Sequence, residues 1–77
     1  MQIELISFGK VSEVIRNQTL EIEGIETTDD LREHLEKIFP ALADVKYKLA
    51  LNKNLVQQNS AIKNSDSIAL MPPFSGG

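Results

Sequence analysis

The end of the chain is the feature that most limits what it can fold into. Residues 67–71 have the composition of a short strand, and two prolines follow directly. Proline fixes φ and lacks a backbone N–H, so the chain must leave any sheet there and continue extended. The last two residues, Gly76 and Gly77, have no side chains and fit a channel too narrow for other residues. We therefore predict a globular domain of residues 1–71 that presents an extended tail of residues 72–77.

Length, charge and composition narrow the class of protein. A chain of 77 residues makes one domain with a small core. The net charge of −3 is unlike a nucleic-acid-binding surface, and no stretch approaches the ~20 apolar residues that span a membrane. The sequence has no cysteine and no basic N-terminal signal segment. We expect a cytoplasmic protein that works with protein partners and binds neither nucleic acid nor membrane.

Alternating apolar residues predict a strand at the start of the chain. Over residues 2–8, Ile3 and Leu5 fall on one face, whereas Ile6 and Phe8 fall on the other. The end of this strand is therefore apolar on both sides. A short helix and a second alternating strand are predicted next, over residues 11–16 and 19–23.

One amphipathic helix is predicted in the middle of the chain. Thr27 is a suitable N-cap because acidic residues follow it in the first turn. Leu31, Leu35 and Ile38 form an apolar stripe at helical spacing. Pro40 ends the helix, since the residue before a proline avoids the α conformation.

The second half of the chain predicts three more strands. In residues 45–51, Val45, Tyr47, Leu49 and Leu51 share one face. The remaining predictions are a turn suited to positive φ at residues 52–54, a short return strand at 55–56, a core anchor at Ile62 and a last strand at 68–71.

This order of elements predicts an α+β fold, with a mixed sheet packed on one main helix and a short helix after the first strand. To bury its apolar residues under the helix, the last strand must lie beside the first strand and parallel to it. The tail then leaves the sheet next to Phe8. Two-layer packing of this kind is the ubiquitin-like, or β-grasp, arrangement.

Three segments resemble the small subunit of molybdopterin synthase, a ubiquitin-like sulfur carrier. They are the first strand ending in Ser-Phe-Gly with its short helix (residues 7–15), the strand and Asn-containing turn of residues 49–56, and residues 66–77 with the Pro-Pro step and Gly-Gly end. The resemblance covers essentially the whole chain. Met71 departs from it mildly, because an aromatic residue is often found there.

The resemblance implies a reaction at the C-terminus. An adenylating enzyme similar to ubiquitin-activating enzymes would use ATP to form an acyl-adenylate on Gly77, and a sulfur donor protein would convert this to a thiocarboxylate. The tail, with Gly76 and Gly77 at its end, would then enter the large synthase subunit and pass sulfur to a pterin precursor. Catalytic side chains would come from the partners, and this chain would bind no cofactor or metal of its own.

The resemblance also implies a partner-binding surface around the root of the tail and an assembly of two small and two large subunits. The residues implied are Phe8, Leu55, Met71, Pro72, Pro73, Phe74 and Ser75. For Phe8 and Leu55, ordinary core packing is an equal alternative.

Other candidate residues have simpler explanations. His34 is the only histidine and has no paired acid or cysteine at catalytic spacing. Asp29 and Asp30 are explained by the helix N-terminus, where acids are favoured. Ser75 has no base to activate it as a nucleophile. The lysines at positions 46, 48, 53 and 63 form a loose basic face, either as solvated edge charges or as partners for acids on another protein.

Three other functions remain open at this point. A thiamine-pathway sulfur carrier shares the fold and the Gly-Gly end, and so does a ubiquitin-like modifier of other proteins. The third is a β-grasp interaction module whose tail is chemically inert. The Pro-Pro-Phe step and the short helix after the first strand favour the molybdopterin interpretation.

Overall fold

The part of the chain that the computed structural model describes, residues 1–73, contains a five-stranded mixed sheet. In chain order the strands are β1 (Gln2–Ser7), β2 (Gln18–Glu21), β3 (Lys48–Leu51), β4 (Asn54–Leu55) and β5 (Ser67–Met71). Across the sheet they lie in the order β2-β1-β5-β3-β4. β1 and β5 are parallel, and all other neighbours are antiparallel. This is the mixed sheet of a β-grasp fold, which confirms the predicted fold class.

The parallel pair β1–β5 forms the centre of the sheet. Leu5 lies beside Ile68 and Ser7 beside Leu70, and all four side chains are buried. One further bond extends the pair beyond β1, because the Phe8 N–H donates to the Leu70 carbonyl oxygen at 3.0 Å. The end of β5 is thereby fixed next to Phe8, as the sequence predicts.

The helix α1 (Thr28–Ile38) begins with two caps. Thr27 Oγ1 accepts a hydrogen bond from the Asp30 N–H at 3.3 Å, which confirms the predicted N-cap. Asn59 Oδ1, from a distant loop, accepts from the Asp29 N–H at 2.9 Å. These bonds satisfy backbone donors that have no partner within the helix.

The helix packs on the sheet through only part of its predicted stripe. Leu31 and Leu35 are fully buried and share one core cluster with apolar side chains of β1, β3 and β5. Ile38, the last residue of α1, is 42% exposed. The prediction that Ile38 joins the core is wrong, because the chain turns away directly after it in a 3₁₀ turn at Pro40–Asp44.

Two predicted elements differ most from the structure, whereas the bounds of the other strands shift by only one or two residues. The short helix after β1 is a 3₁₀ turn at Gly9–Glu13, rather than a helix over residues 11–16. The third strand begins only at Lys48. Tyr47 precedes it and donates a hydrogen bond from its hydroxyl to Glu36 Oε2 at 2.5 Å, so this segment is tied to the helix before it joins the sheet.

The two turns at the far end of the sheet from the tail are joined by side-chain bonds. Asn52 has the predicted positive φ, at 48°. Its Nδ2 donates to Asp66 Oδ1 at 3.0 Å, and its Oδ1 accepts from the Ser67 N–H at 2.9 Å. The Lys63 N–H donates to Asp66 Oδ2 at 2.7 Å. Both hydrogen bonds stabilise the charged carboxylate and hold the pKa of Asp66 below its ordinary value. The bond from Asn52 contributes most, and the bond from the Lys63 N–H contributes less.

The Asn59 cap gives a first prediction. Asn59→Ala removes the acceptor for the Asp29 N–H and should lower the free energy of unfolding by about 1 kcal/mol, the usual cost of losing a cap. Urea unfolding measures the change. Gln58→Ala alters the neighbouring exposed residue and should be nearly neutral; equal losses in both variants would contradict a specific role for Asn59.

The Asp66 bonds give a second prediction, for the pH dependence of stability. Because the pKa of Asp66 is lower in the folded chain, the unfolded chain takes up this proton first as the pH falls. The stabilisation from Asp66 is therefore complete at neutral pH and is lost below about pH 4. Urea unfolding from pH 7 to pH 2.5 should show the difference between the unaltered chain and Asp66→Asn shrinking with acid. Asp44→Asn controls for the loss of one negative charge. A difference independent of pH would refute this account.

Candidate functional site: the apolar sheet face at the root of the tail

One face of the sheet is covered by α1, and we call the opposite face the open face. Strand register brings four of its apolar side chains into one row. Ile6 of β1 lies beside Ala69 of β5, Ala69 lies beside Ala50 of β3, and Ala50 lies beside Leu55 of β4. The row crosses four strands, with small side chains in the middle and large ones at its ends. Ala50 is only 4% exposed, so the accessible apolar area of this row comes mainly from Leu55, which is 40% exposed, and in part from Ile6 and Ala69.

A second row lies nearer the tail. Phe8 follows β1 and is 50% exposed. Together with Met71, Pro72 and Pro73 it lines an almost wholly apolar groove of about 400 Å³. Lys48 lies beside Met71 on β3 and ends this row with a positive charge. The root of the tail is therefore one wall of an apolar groove.

Gly9 brings the root of the tail close to the turn that follows β1. Its φ is +57°, which favours glycine, and a Cβ built on it would lie 2.6 Å from Pro72 Cγ. A side chain in this conformation would overlap the proline ring. The sequence alone indicated Gly9 only as the end of a strand, and the contact with Pro72 became visible only when β1 and β5 were placed side by side.

The structure places five of the residues implied as partner-binding around this surface. Phe8 and Leu55 are 50% and 40% exposed, so core packing does not account for them. Met71, Pro72 and Pro73 are half-buried at the groove. The remaining implied residues, Phe74, Ser75, Gly76 and Gly77, lie outside the described part of the chain.

Three residues of the open face were not among the sequence candidates. They are Ile6, at one end of the first row, and Ala50 and Ala69, in its middle. The alternation that places Ile6 on the same face as Phe8 was a usable signal. Ala50 and Ala69 gave none, because alanine is common on both faces of a strand and only the register shows that they lie side by side.

The described residues offer few other features that could form a functional site. Within residues 1–73 no cluster of three or more His, Cys, Asp or Glu side chains is placed to hold a metal ion. His34 is half-buried on α1, outside the two apolar rows. Over the same range no helix has the length and apolar character needed to cross a membrane. Within the described residues the candidate site is therefore an apolar surface at the end of β5.

Comparison with known proteins agrees with this arrangement. The model of the ThiS family matches residues 5–77. The molybdopterin synthase sulfur carrier subunit of Chlamydomonas reinhardtii is 37% identical over the full length of both chains. The subunit of the same name from Haemophilus influenzae is 34% identical over 97% of this chain and 99% of that protein.

Solved structures share the fold over the whole chain. SAMP1 from Haloferax volcanii superposes with a TM-score of 0.79 at 26% identity, covering 100% of both chains. A chain from the complex of subunits 1 and 2 of the molybdopterin-converting factor of Helicobacter pylori superposes with a TM-score of 0.70 at 27% identity, again over 100% of both chains. Because the family match covers all but the first four residues, the chain belongs to the ThiS family.

Proposed function

We propose that this chain is the sulfur carrier subunit of a molybdopterin synthase. The observation that carries the proposal is the geometry at the tail: the central strand β5 ends at Met71, and two prolines then lead away from an exposed apolar face toward a Gly-Gly end. The full-length similarity to curated sulfur carrier subunits supports it. The folded domain holds and presents the tail, and the reactive atom is at Gly77.

The chemistry begins at the Gly77 carboxylate. A carboxylate is a poor electrophile because it is negatively charged and has no good leaving group. An adenylating enzyme joins it to the AMP part of ATP and releases pyrophosphate. A donor protein then supplies sulfur at the oxidation level of sulfide; the C–S bond forms, the C–O bond to AMP breaks, and a thiocarboxylate results. ATP is consumed by the partner, and this chain holds no cofactor.

The second half of the reaction takes place in a large subunit. The thiocarboxylate sulfur is nucleophilic at neutral pH and forms a C–S bond to a carbon of a pterin precursor as a leaving group departs from that carbon. Water then cleaves the resulting thioester, so the sulfur stays on the precursor and Gly77 is again a carboxylate. The residues of this chain contribute binding and placement: the open face docks, the prolines keep the tail extended, and the two glycines fit a narrow channel. General acids and bases come from the large subunit. The similarity to a chain of a two-subunit complex supports this partner.

A second candidate function is the modification of other proteins. It is favoured by the similarity to SAMP1, a small archaeal modifier protein. Both functions begin with adenylation of Gly77 and differ in the acceptor. A carrier ends as a thiocarboxylate, whereas a modifier ends in an isopeptide bond to a lysine side chain. A thiamine-pathway carrier also forms a thiocarboxylate and would differ in the large subunit that it binds.

The proposal predicts a mass change at the C-terminus. Incubation with the adenylating enzyme, ATP and a sulfur donor should add about 16 Da, the replacement of one oxygen by sulfur. Intact-mass spectrometry measures it. A chain lacking Gly77 and a chain with one extra C-terminal residue are the controls, and neither should change. An unchanged mass in the full chain, under conditions that activate a known carrier, would refute the proposal. A protein conjugate would support the modifier instead.

The open face gives a prediction about binding to the large subunit. Phe8→Ser and Leu55→Ser remove exposed apolar area from the two rows, and each should weaken binding to the large subunit at least about tenfold, the level expected of a central interface residue. Isothermal titration calorimetry measures the affinity. The free energy of unfolding should change by no more than about 1 kcal/mol, since both side chains are largely exposed in the free chain.

Ile38→Ser is the matched control for this experiment. Ile38 is also a large exposed apolar residue, at 42%, but it lies at the end of α1 on the other layer of the fold. It should leave the affinity unchanged. If Phe8→Ser and Leu55→Ser bind the large subunit as tightly as Ile38→Ser does, the open face is not the docking surface.

A further inference from the structure

Charge is distributed very unevenly along this chain. Residues 45–65 contain four lysines and no acidic residue, in a protein whose net charge is −3. Residues 21–44 contain eight of the eleven acidic residues. Lys46, Lys48 and Lys53 lie in or next to β3 and β4, so the β3–β4 edge of the sheet carries positive charge, whereas α1 is acidic; Lys63 lies apart, in a cleft beside Met1. Such a dipolar surface orients a charged partner during its approach.

A groove lies on this cationic edge, between α1 and the strands. It has a volume of about 450 Å³. Tyr47, Leu55 and Val56 supply apolar surface, and Arg32 and Lys48 supply two positive charges. More of the accessible lining is polar than apolar, so the groove combines two cations with a smaller apolar surface, which suits a segment carrying both a carboxylate and an apolar side chain.

The Arg32 side chain is already positioned in the free chain. Its guanidinium carbon lies 5.7 Å from the centre of the Tyr47 ring, within the range of a cation–π contact. Tyr47 is held in turn by the hydrogen bond that its hydroxyl donates to Glu36. Burial, together with this bond, raises the pKa of Tyr47, so the phenol stays protonated and remains a donor. A guanidinium held in this way loses little freedom when it binds a carboxylate.

Neither cation at the groove is neutralised within the described residues. Over residues 1–73 the only ion pair within 4 Å joins the N-terminal ammonium of Met1 to Glu21, and this pair lies at the opposite edge of the sheet. Glu36, the acid one turn from Arg32, is engaged by Tyr47. The general explanation for charged edge strands, that lysines discourage sheet-to-sheet aggregation, does not account for Arg32, which lies on the helix.

The groove also continues the surface assigned above to the large subunit. Leu55 belongs both to the groove and to the first row of the open face. Lys48 lines the groove and lies beside Met71 at the root of the tail. A partner that covers the open face and takes the tail therefore lies next to this groove.

We propose that the groove between α1 and the β3–β4 edge binds an acidic segment of the large synthase subunit. A carboxylate of that segment pairs with Arg32 and Lys48, and a neighbouring apolar side chain packs against Leu55 and Val56. This inference rests on the function proposed above. It adds the chemical character of the partner and the edge from which the partner approaches.

A charge-reversal experiment tests the proposal with the purified large subunit and the full-length chain, whose C-terminus is left as a carboxylate. Arg32→Glu combined with Lys48→Glu should slow association about tenfold or more at low ionic strength, as expected when steering charges are reversed. Stopped-flow measurement gives the rate constant. The effect should fade as salt is raised, because screening acts over about 10 Å at 0.1 M.

Lys37→Glu combined with Lys63→Glu is the matched control. It changes the net charge equally, but Lys37 is exposed outside the groove and Lys63 lines a different cleft beside Met1. This pair should associate nearly as fast as the unaltered chain. Equal slowing in both pairs, or none in either, would overturn the groove as the site. Thermal unfolding of each variant confirms that it is folded.

Arg32→Lys separates steering from direct pairing. It keeps the charge but loses the planar donor fork, so association should stay near the unaltered rate while dissociation becomes faster. Unchanged dissociation would overturn direct pairing by Arg32. If the unaltered chain does not bind the large subunit, both this inference and the proposed partner fail. If it binds and the charge reversals leave the association rate constant unchanged, only this inference fails.

Discussion

The rest of the structure depends on the parallel pairing of β1 with β5. These strands come from opposite ends of the chain, and a parallel pair requires a long crossover between them. Residues 8–66 supply it, and they include the helix that covers the buried side chains of both strands. The same pairing fixes Phe8 against the end of β5. Fold and tail position therefore have one cause, because the sheet cannot form without placing the tail root beside Phe8.

Local signals predicted most of this arrangement where the physical cause is local. Thr27 caps the helix because its own side chain reaches the Asp30 N–H, and Asn52 takes positive φ in the turn between β3 and β4, a conformation that asparagine tolerates. Tyr47 shows where such reasoning fails. Its alternation with Leu49 predicted a strand, but its hydroxyl binds Glu36 on the helix, a partner that periodicity cannot reveal. Ile38 fails similarly, since helical spacing does not show where the neighbouring layer ends.

Resemblance identified most of the large residues of the candidate site, but neither Ile6 nor the two alanines. Phe8 and Leu55 were identified through resemblance, and their exposure argues against core packing as the explanation for them. Ala50 and Ala69 become meaningful only through the register that sets them side by side. The contact of Gly9 with Pro72 likewise joins residues 63 positions apart in sequence. These features depend on long-range geometry, which a single sequence expresses only after it has folded.

An exposed apolar face on a small sheet protein carries a risk of aggregation, and the charges around it offset that risk. Lys48 ends the row of Phe8 and Met71, and Glu4 is exposed on the same face of β1 as Ile6. Charged residues beside apolar strands disfavour association with further copies of the chain. A partner with complementary charge meets no such penalty. In the proposed complex the cationic β3–β4 edge has two effects: it opposes self-association of the open face while the chain is free, and it favours a partner that brings acidic side chains to the root of the tail.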